Sequence, residues 1–245
     1  MNTNTDKTIG SFVATDYRTA SVFQKYGIDF CCKGGKTLAE VCQTKQLDSK
    51  ELLNELTSIT QAGNSLATNF TNWPLDLLVN YIQKIHHTYV VNNTEPLIQF
   101  LNKLCKVHGS NHPELFEINE QFMAAAGELA AHMKKEELIL FPYVQKLQAA
   151  KESNRSLEQA GFGSVQNPIQ VMMNEHEVEG DRFRKISELS SNYTPPADGC
   201  TTYRVAYAML KEFEQDLHLH IHLENNILFP KAIELEKSLQ HEAVS

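Results

Sequence analysis

The 245 residues carry 22 Lys and Arg against 30 Asp and Glu, a net charge of −8, and 42% are hydrophobic. That balance excludes intrinsic disorder and leaves neither a basic footprint for nucleic acid nor a polybasic patch for an anionic membrane. No apolar run approaches the roughly 18 residues of a bilayer-spanning helix, and MNTNTDKTIGSF lacks the regions of a secretion signal, so a soluble, cytoplasmic protein is expected.

The first sixty residues read as a small helical domain. Gly27 is placed to end a helix carrying Val22, Phe23 and Tyr26. Thr37-Leu-Ala-Glu40 and Asp48-Ser-Lys-Glu51 each resemble a capping box. Just before the first of these boxes lies Tyr26-Gly-Ile-Asp-Phe-Cys31-Cys32-Lys-Gly-Gly35. Adjacent cysteines bridge only with strain, so Cys31 and Cys32 are expected as free thiols on an exposed turn. Lys33 and Lys36 would favour the thiolate, which makes the pair candidates for redox or metal handling. An odd total of five cysteines disfavours a disulfide framework; Cys105 and Cys200 are expected as small, wholly or partly buried residues.

Residues 61–73, small and polar at their start, read as a linker. Beyond it, 74–245 shows almost no strand signal and four stretches with apolar residues three and four apart, the period of an amphipathic helix. The first opens at Asn72-Trp-Pro74 with the stripe Leu78, Ile82, Ile85, Tyr89, and carries His86 on the side of Val79 and Ile82; His87, about 100° away on an ideal helix, is expected at the surface. The second starts near His112-Pro-Glu114 and runs through Phe122, Leu129, His132 and Glu136. The third starts near Asn167-Pro168 with Met172, Met173, His176 and Phe183. The fourth follows Cys200-Thr-Thr202 with Val205, Phe213, Leu217, His220 and Glu224; His218 and His222 fall at other angles and are expected in solvent. The fold class is therefore all-α, a four-helix bundle behind a small helical domain.

Two of these helices repeat one another. His132-Met-Lys-Lys-Glu136 leads to Ile139-Leu-Phe-Pro142, and His220-Ile-His-Leu-Glu224 leads to Ile227-Leu-Phe-Pro230. A histidine and a glutamate four apart share a helix face, and both pairs lie on apolar faces, where they are costly unless paired or ligated. Adding His86 and His176, each half reads His…His-x-x-x-Glu, with separations of 46 and 44 residues. Four imidazoles and two shared carboxylates can hold two cations, and donors without thiolate suit iron or manganese better than zinc. A non-haem di-iron centre ligated by His86, His132, Glu136, His176, His220 and Glu224 is the expectation, with Glu175 as a neighbour able to tune it and Glu137 expected as a solvated charge.

With these motifs in view, the chain resembles the di-iron "repair of iron centres" family of iron–sulfur cluster repair proteins, whose Asp-Phe/Tyr-Cys-Cys turn precedes a hemerythrin-like bundle. The resemblance spans nearly the whole chain and implies the same six ligands, with Cys31 and Cys32 as the family's cysteine pair. Lys33 stands where many members are expected to have glycine. The likeness implies a cytoplasmic, often dimeric protein made under nitric oxide or peroxide stress, which restores damaged iron–sulfur proteins by supplying iron from two non-haem ions. Rival readings are a di-iron nitric oxide reductase and a non-catalytic gas or redox sensor binding nitric oxide or dioxygen. The oxygen-carrying hemerythrins fit less well, because their fifth histidine, four residues after the third helix's ligand, is here Gly180.

Overall fold

A computed structural model describes residues 4–61, 69–154 and 160–242. Four short helices come first: α1 (Ile9–Thr15), α2 (Ala20–Lys25), α3 (Leu38–Lys45) and α4 (Ser49–Gln61). Four long ones follow. Helix α5 runs through Leu75–Tyr81, a π-helical turn Ile82–His87, and Thr88–His108. Helix α6 runs through Glu114–Lys135, a π turn Glu136–Leu140, and Phe141–Ser153. Helix α7 is Gln166–Leu189, and α8 runs through Thr201–Leu223, a π turn Glu224–Leu228, and Phe229–Glu242. Among the described residues there is no strand, only two isolated bridges, so the fold is all-α. No described helix is long and apolar enough to cross a membrane. Most of the expected linker lies outside the described residues, and Phe70–Asn72 form a single 3₁₀ turn.

The chain divides into two compact units, one within 1–78, 147–157 and 221–245, the other within 79–146 and 158–220. In the first, local chemistry sets the short helices. Gly27 ends α2 at φ +60°, and Ile28 N–H donates back to the Phe23 carbonyl at 2.8 Å. Thr37 and Glu40 form a reciprocal capping box on α3. Asp48 caps α4 by accepting from the Lys50 and Glu51 N–H groups. Ile9, Phe23, Phe30 and Leu38 are buried completely or nearly so. Here α1 approaches α8 so closely that a Cβ on Gly10 would meet the Asn226 side chain at 2.4 Å. Glycine is required there by space.

The second unit is a four-helix bundle. Its core is a ring cluster with one or more aromatic residues from each helix: Tyr89, Phe122, Phe183 and Phe213. Phe122 meets Phe183 and Phe213 edge-on, while Phe183 and Phe213 stack at 5.6 Å. Three π turns interrupt the long helices. In α6 and α8 each ends just before a proline, Pro142 or Pro230, whose missing N–H and ring disfavour an ordinary α turn. Phe141 and Phe229 instead donate to carbonyls five residues back, those of Glu136 and Glu224. In α5 the π turn has no proline beside it and ends on the His86-His87 pair.

Candidate metal centre

Each π turn carries or adjoins candidate ligands. Within the second unit His132, Glu136 and His176 bring donor atoms to within 4.8 Å of one another, and so do His87, Glu136 and His220. Glu224 lies one turn past His220 on the same helix, in the first unit. All six side chains are buried, Glu136 and Glu224 with no exposed surface. The Nε2 atoms of His132 and His176 are 3.0 Å apart. Four expected ligands are thus gathered in the second unit: His132, Glu136, His176 and His220. His86 stands beside them, its ring stacked on that of His220 at 5.5 Å.

His87 is 2% exposed and does not lie on the surface. The reason is the π turn, which winds more residues into each turn than the α-helical count assumes. The same shift turns Ile85 out of its expected stripe, leaving it 49% exposed.

Carboxylates behind the imidazoles fix their tautomers. A carboxylate only accepts, so Nδ1–H donates from His86 to Asp216 at 2.9 Å, from His87 to Glu137 at 2.7 Å, and from His132 to Glu175 at 2.8 Å. Each Nε2 then offers a lone pair to the interior, the arrangement that orients histidine ligands on metals. Glu175 also pairs with Lys135. Burial pushes its carboxyl pKa up, but hydrogen bonds from Lys135 and His132 prevail and hold it below the ordinary range. Asp216 was not singled out from sequence, although it lies one turn before His220, on the face the repeat marks.

The donor set passes a test of fit to a cation. Glu136 Oε2 lies 3.3 Å from His87 Nε2 and Oε1 lies 3.4 Å from His132 Nε2, yet neither oxygen accepts a hydrogen bond. A fully buried carboxylate so placed is unfavourable by itself. Nε2 of His86 is likewise buried without a hydrogen bond. Oxygen and nitrogen lone pairs converging without donors between them suit a positive ion.

In the first unit the cysteine turn differs from expectation. Cys31 is 3% exposed and Cys32 half-buried, both as free thiols, with Sγ atoms 3.7 Å apart. The Asp29 carboxylate accepts from the backbone N–H of Cys31 and Cys32. Asn225 and Asn226, immediately after Glu224, donate to the Cys31 carbonyl at 3.3 and 3.2 Å. The Cys31 pKa is driven well up, by its hydrogen bond with Cys32, by burial and by the Asp29 charge; the lysines do not make it a thiolate. Asp29, Cys31 and Cys32 nonetheless bring three donor atoms within 4.8 Å. His222 is also buried, set edge-on to Phe30, and burial lowers its pKa to about 4. Cys200, in contrast, is exposed.

Comparison with known proteins gives this geometry a context. A family described as the hemerythrin HHE cation binding domain matches residues 79–232, and a domain of unknown function, DUF542, matches residues 5–60. The iron-sulfur cluster repair protein ScdA of Staphylococcus haemolyticus is 31% identical over 230 residues, covering 93% of this chain and 98% of that one. The iron-sulfur cluster repair protein YtfE of Musicola paradisiaca is 34% identical over 229 residues, covering 93% and 96%. YtfE of Yersinia pestis is 32% identical over 229 residues, covering 93% and 97%.

Proposed function

This chain belongs to the family of iron–sulfur cluster repair proteins, and we propose that it holds two non-haem iron ions about Glu136 and supplies iron to clusters damaged by nitrosative or oxidative stress. One observation carries the reading. Glu136 is fully buried, faces an imidazole nitrogen with each oxygen, and accepts no hydrogen bond. Donors of imidazole and carboxylate type, without thiolate, favour iron or manganese.

When bound, the ions supply exchangeable iron and open positions for a small molecule such as nitric oxide or dioxygen. The protein's part is to grip and to release. His86, His87 and His132 are held in place by Asp216, Glu137 and Glu175 and form the fixed part of the cage. Glu136 and Glu224 are the adjustable part, because a carboxylate can change from two-oxygen to one-oxygen binding, or take a proton, without moving its helix. Iron is cargo in this reading, and clients are iron–sulfur proteins that have lost it. The thiols of Cys31 and Cys32 support the same reading by offering softer donors on a loop held by the two residues after Glu224.

The test is to load the protein with iron, add an apo iron–sulfur enzyme with sulfide, and compare wild type with Glu136→Leu. Recovery of client activity with wild type and background recovery with the variant are expected. Equal recovery would remove the iron-supply reading, and turnover of nitric oxide to nitrous oxide in the presence of a reductant would replace it with the reductase.

A further inference from the structure

Cys200 stands in the second unit at the start of α8, twenty residues before His220 and so about 30 Å from it along the helix. We propose that Cys200 and His108 form a reactive thiolate–imidazolium pair, at which a hydroperoxide makes a sulfenic acid that a small thiol caps as a mixed disulfide. The proposal goes beyond the iron-supply reading and does not depend on it.

The backbone places the sulfur. The Cys200 carbonyl accepts from the Arg204 N–H at 3.2 Å, the first bond of the helix, so Cys200 is its N-cap residue. Serine, threonine, aspartate and asparagine usually hold that position with a side-chain oxygen. Here a sulfur takes their place, on the N–H groups of Tyr203 and Thr202. The turn leading in is tight: Gly199 N–H donates to the Pro196 carbonyl at 2.9 Å, and a Cβ on Gly199 would meet that same oxygen at 2.9 Å. The helix behind the cap runs 23 residues, and the partial positive charge of its first turn favours an anion.

A helix start and a cysteine alone would make no site; the imidazole makes one. His108, the last residue of α5, brings Nε2 to 3.2 Å from Sγ of Cys200. The buried Tyr203 ring meets His108 edge-on at 5.5 Å and His112 at 5.7 Å, which fixes both planes. His112 is committed elsewhere, its two nitrogens paired with Glu114 and Asp198 at 3.1 Å. That leaves His108 as the imidazole for the thiol. A thiol and an imidazole within hydrogen-bond reach are the two halves of an activated nucleophile: the proton moves to Nε2, and the imidazolium donates back to the sulfur. The Tyr203 N–H and then His108 bring the Cys200 thiol down to about 7. Cys31, Cys42 and Cys105 are pushed the other way, Cys31 chiefly by its hydrogen bond with Cys32 and the other two by burial. Cys200 is also exposed, so a reagent reaches it.

The chemistry balances in two steps. The thiolate attacks one peroxide oxygen, an S–O bond forms and the O–O bond breaks, and the leaving oxygen takes the proton from His108. Sulfur loses two electrons and the peroxide gains them. A small thiol then attacks the sulfenic sulfur, an S–S bond forms, the S–O bond breaks, and water leaves. His108 is the positioning residue of the pair.

The experiment treats the full-length protein with hydrogen peroxide and glutathione and maps adducts by peptide mass spectrometry. A glutathione adduct on the Cys200 peptide is expected in wild type. Cys200→Ser, which keeps a capping oxygen, should stay folded and lose it. Absence of the Cys200 adduct in wild type, or an adduct of equal extent in Cys200→Ser, overturns the proposal. The rate of Cys200 alkylation against pH should have a midpoint of about 7 in wild type. In His108→Gln that midpoint should rise toward the roughly 8.5 of an ordinary thiol, with several-fold slower alkylation at pH 7. An unchanged midpoint in folded His108→Gln overturns the pair. If circular dichroism shows that variant unfolded, the wild-type midpoint decides: the lower value supports the pair, and that of an ordinary thiol overturns it.

Discussion

Glu136→Leu separates the stability of the centre from its purpose. The wild-type carboxylate is fully buried and accepts no hydrogen bond. Such a group typically destabilises a fold by about 1–3 kcal/mol, and more when ionised. Leucine is of similar size and removes that penalty, as replacement of buried ionic groups by apolar ones commonly does. Losing Glu136 strands no cation, because His87 retains Glu137 and His132 retains Glu175. The metal-free variant should therefore be more stable than metal-free wild type by about 1–3 kcal/mol, or roughly 3–9 °C in Tm for a chain of this length. Metal reverses the order: free ion at about a hundred times its Kd adds about 2.7 kcal/mol to wild type, and little to a variant without the shared donor. Urea or thermal unfolding, with chelator and then with anaerobic ferrous iron, reads both halves. If chelated Glu136→Leu unfolds before chelated wild type, the carboxylate stabilises the apoprotein and the argument from its burial fails.

Other parts of the molecule give independent checks. Gly10→Ala should destabilise by about 1–3 kcal/mol in denaturant unfolding, since its Cβ would sit 2.4 Å from the Asn226 side chain. Glu179 is buried, which pushes its carboxyl up to about 7 against the pull of Arg182. A raised acid pKa means its contribution is fully present below the unfolded value near 4.5 and lost as pH rises through about 7. Glu179→Gln should flatten the pH dependence of stability in that window, and an unchanged slope would contradict the assignment. Cys200 is exposed, and backbone N–H from Tyr203, then His108, bring its thiol down to about 7. Alkylation at neutral pH followed by mass spectrometry should label Cys200 well before Cys31, and the reverse order would refute both environments.

The four long helices were legible because their starts are marked by residues that act locally. Pro74, His112-Pro113, Asn167-Pro168 and Cys200-Thr201 predict starts that fall at Leu75, Glu114, Gln166 and Thr201. The burial of His132, Glu136, His220 and Glu224 was legible because the repeated His-x-x-x-Glu lies on apolar faces, and that of His176 because it sits beside Met172 and Phe183. What failed was helical arithmetic. Counting 100° per residue assigned Ile85 to the core and His87 to solvent, and the π turn exchanges their fates. A following proline signals the π turns in α6 and α8, but nothing comparable marks the one in α5. Met173 and Val205, counted in apolar stripes, are partly exposed, since periodicity marks a face and not its edges. The burial of Cys31 was out of reach for a different reason: Asn225 and Asn226, which hold its carbonyl, lie almost two hundred residues away in sequence. A local reading of glycines and lysines cannot supply that contact.

The aromatic layer explains why so polar a cluster can persist in a helical core. Phe213 lies seven residues before His220 and Phe183 seven after His176, two turns along the same helix faces. Phe122, Phe183 and Phe213 are at most 1% exposed and pack on one another. Their layer keeps water from that side of the ligands, so lone pairs left without hydrogen bonds cannot be satisfied by solvent. Low polarity around the cluster makes every unpaired carboxylate more unfavourable and every cation held there more favourable. The stripe that stabilises the bundle therefore also sharpens its preference for a bound ion, and Phe213→Ala should weaken both, by about 3–5 kcal/mol in unfolding and in metal affinity measured on the remaining folded protein. Loss of stability with metal affinity untouched would show that the layer packs the bundle without governing the donors.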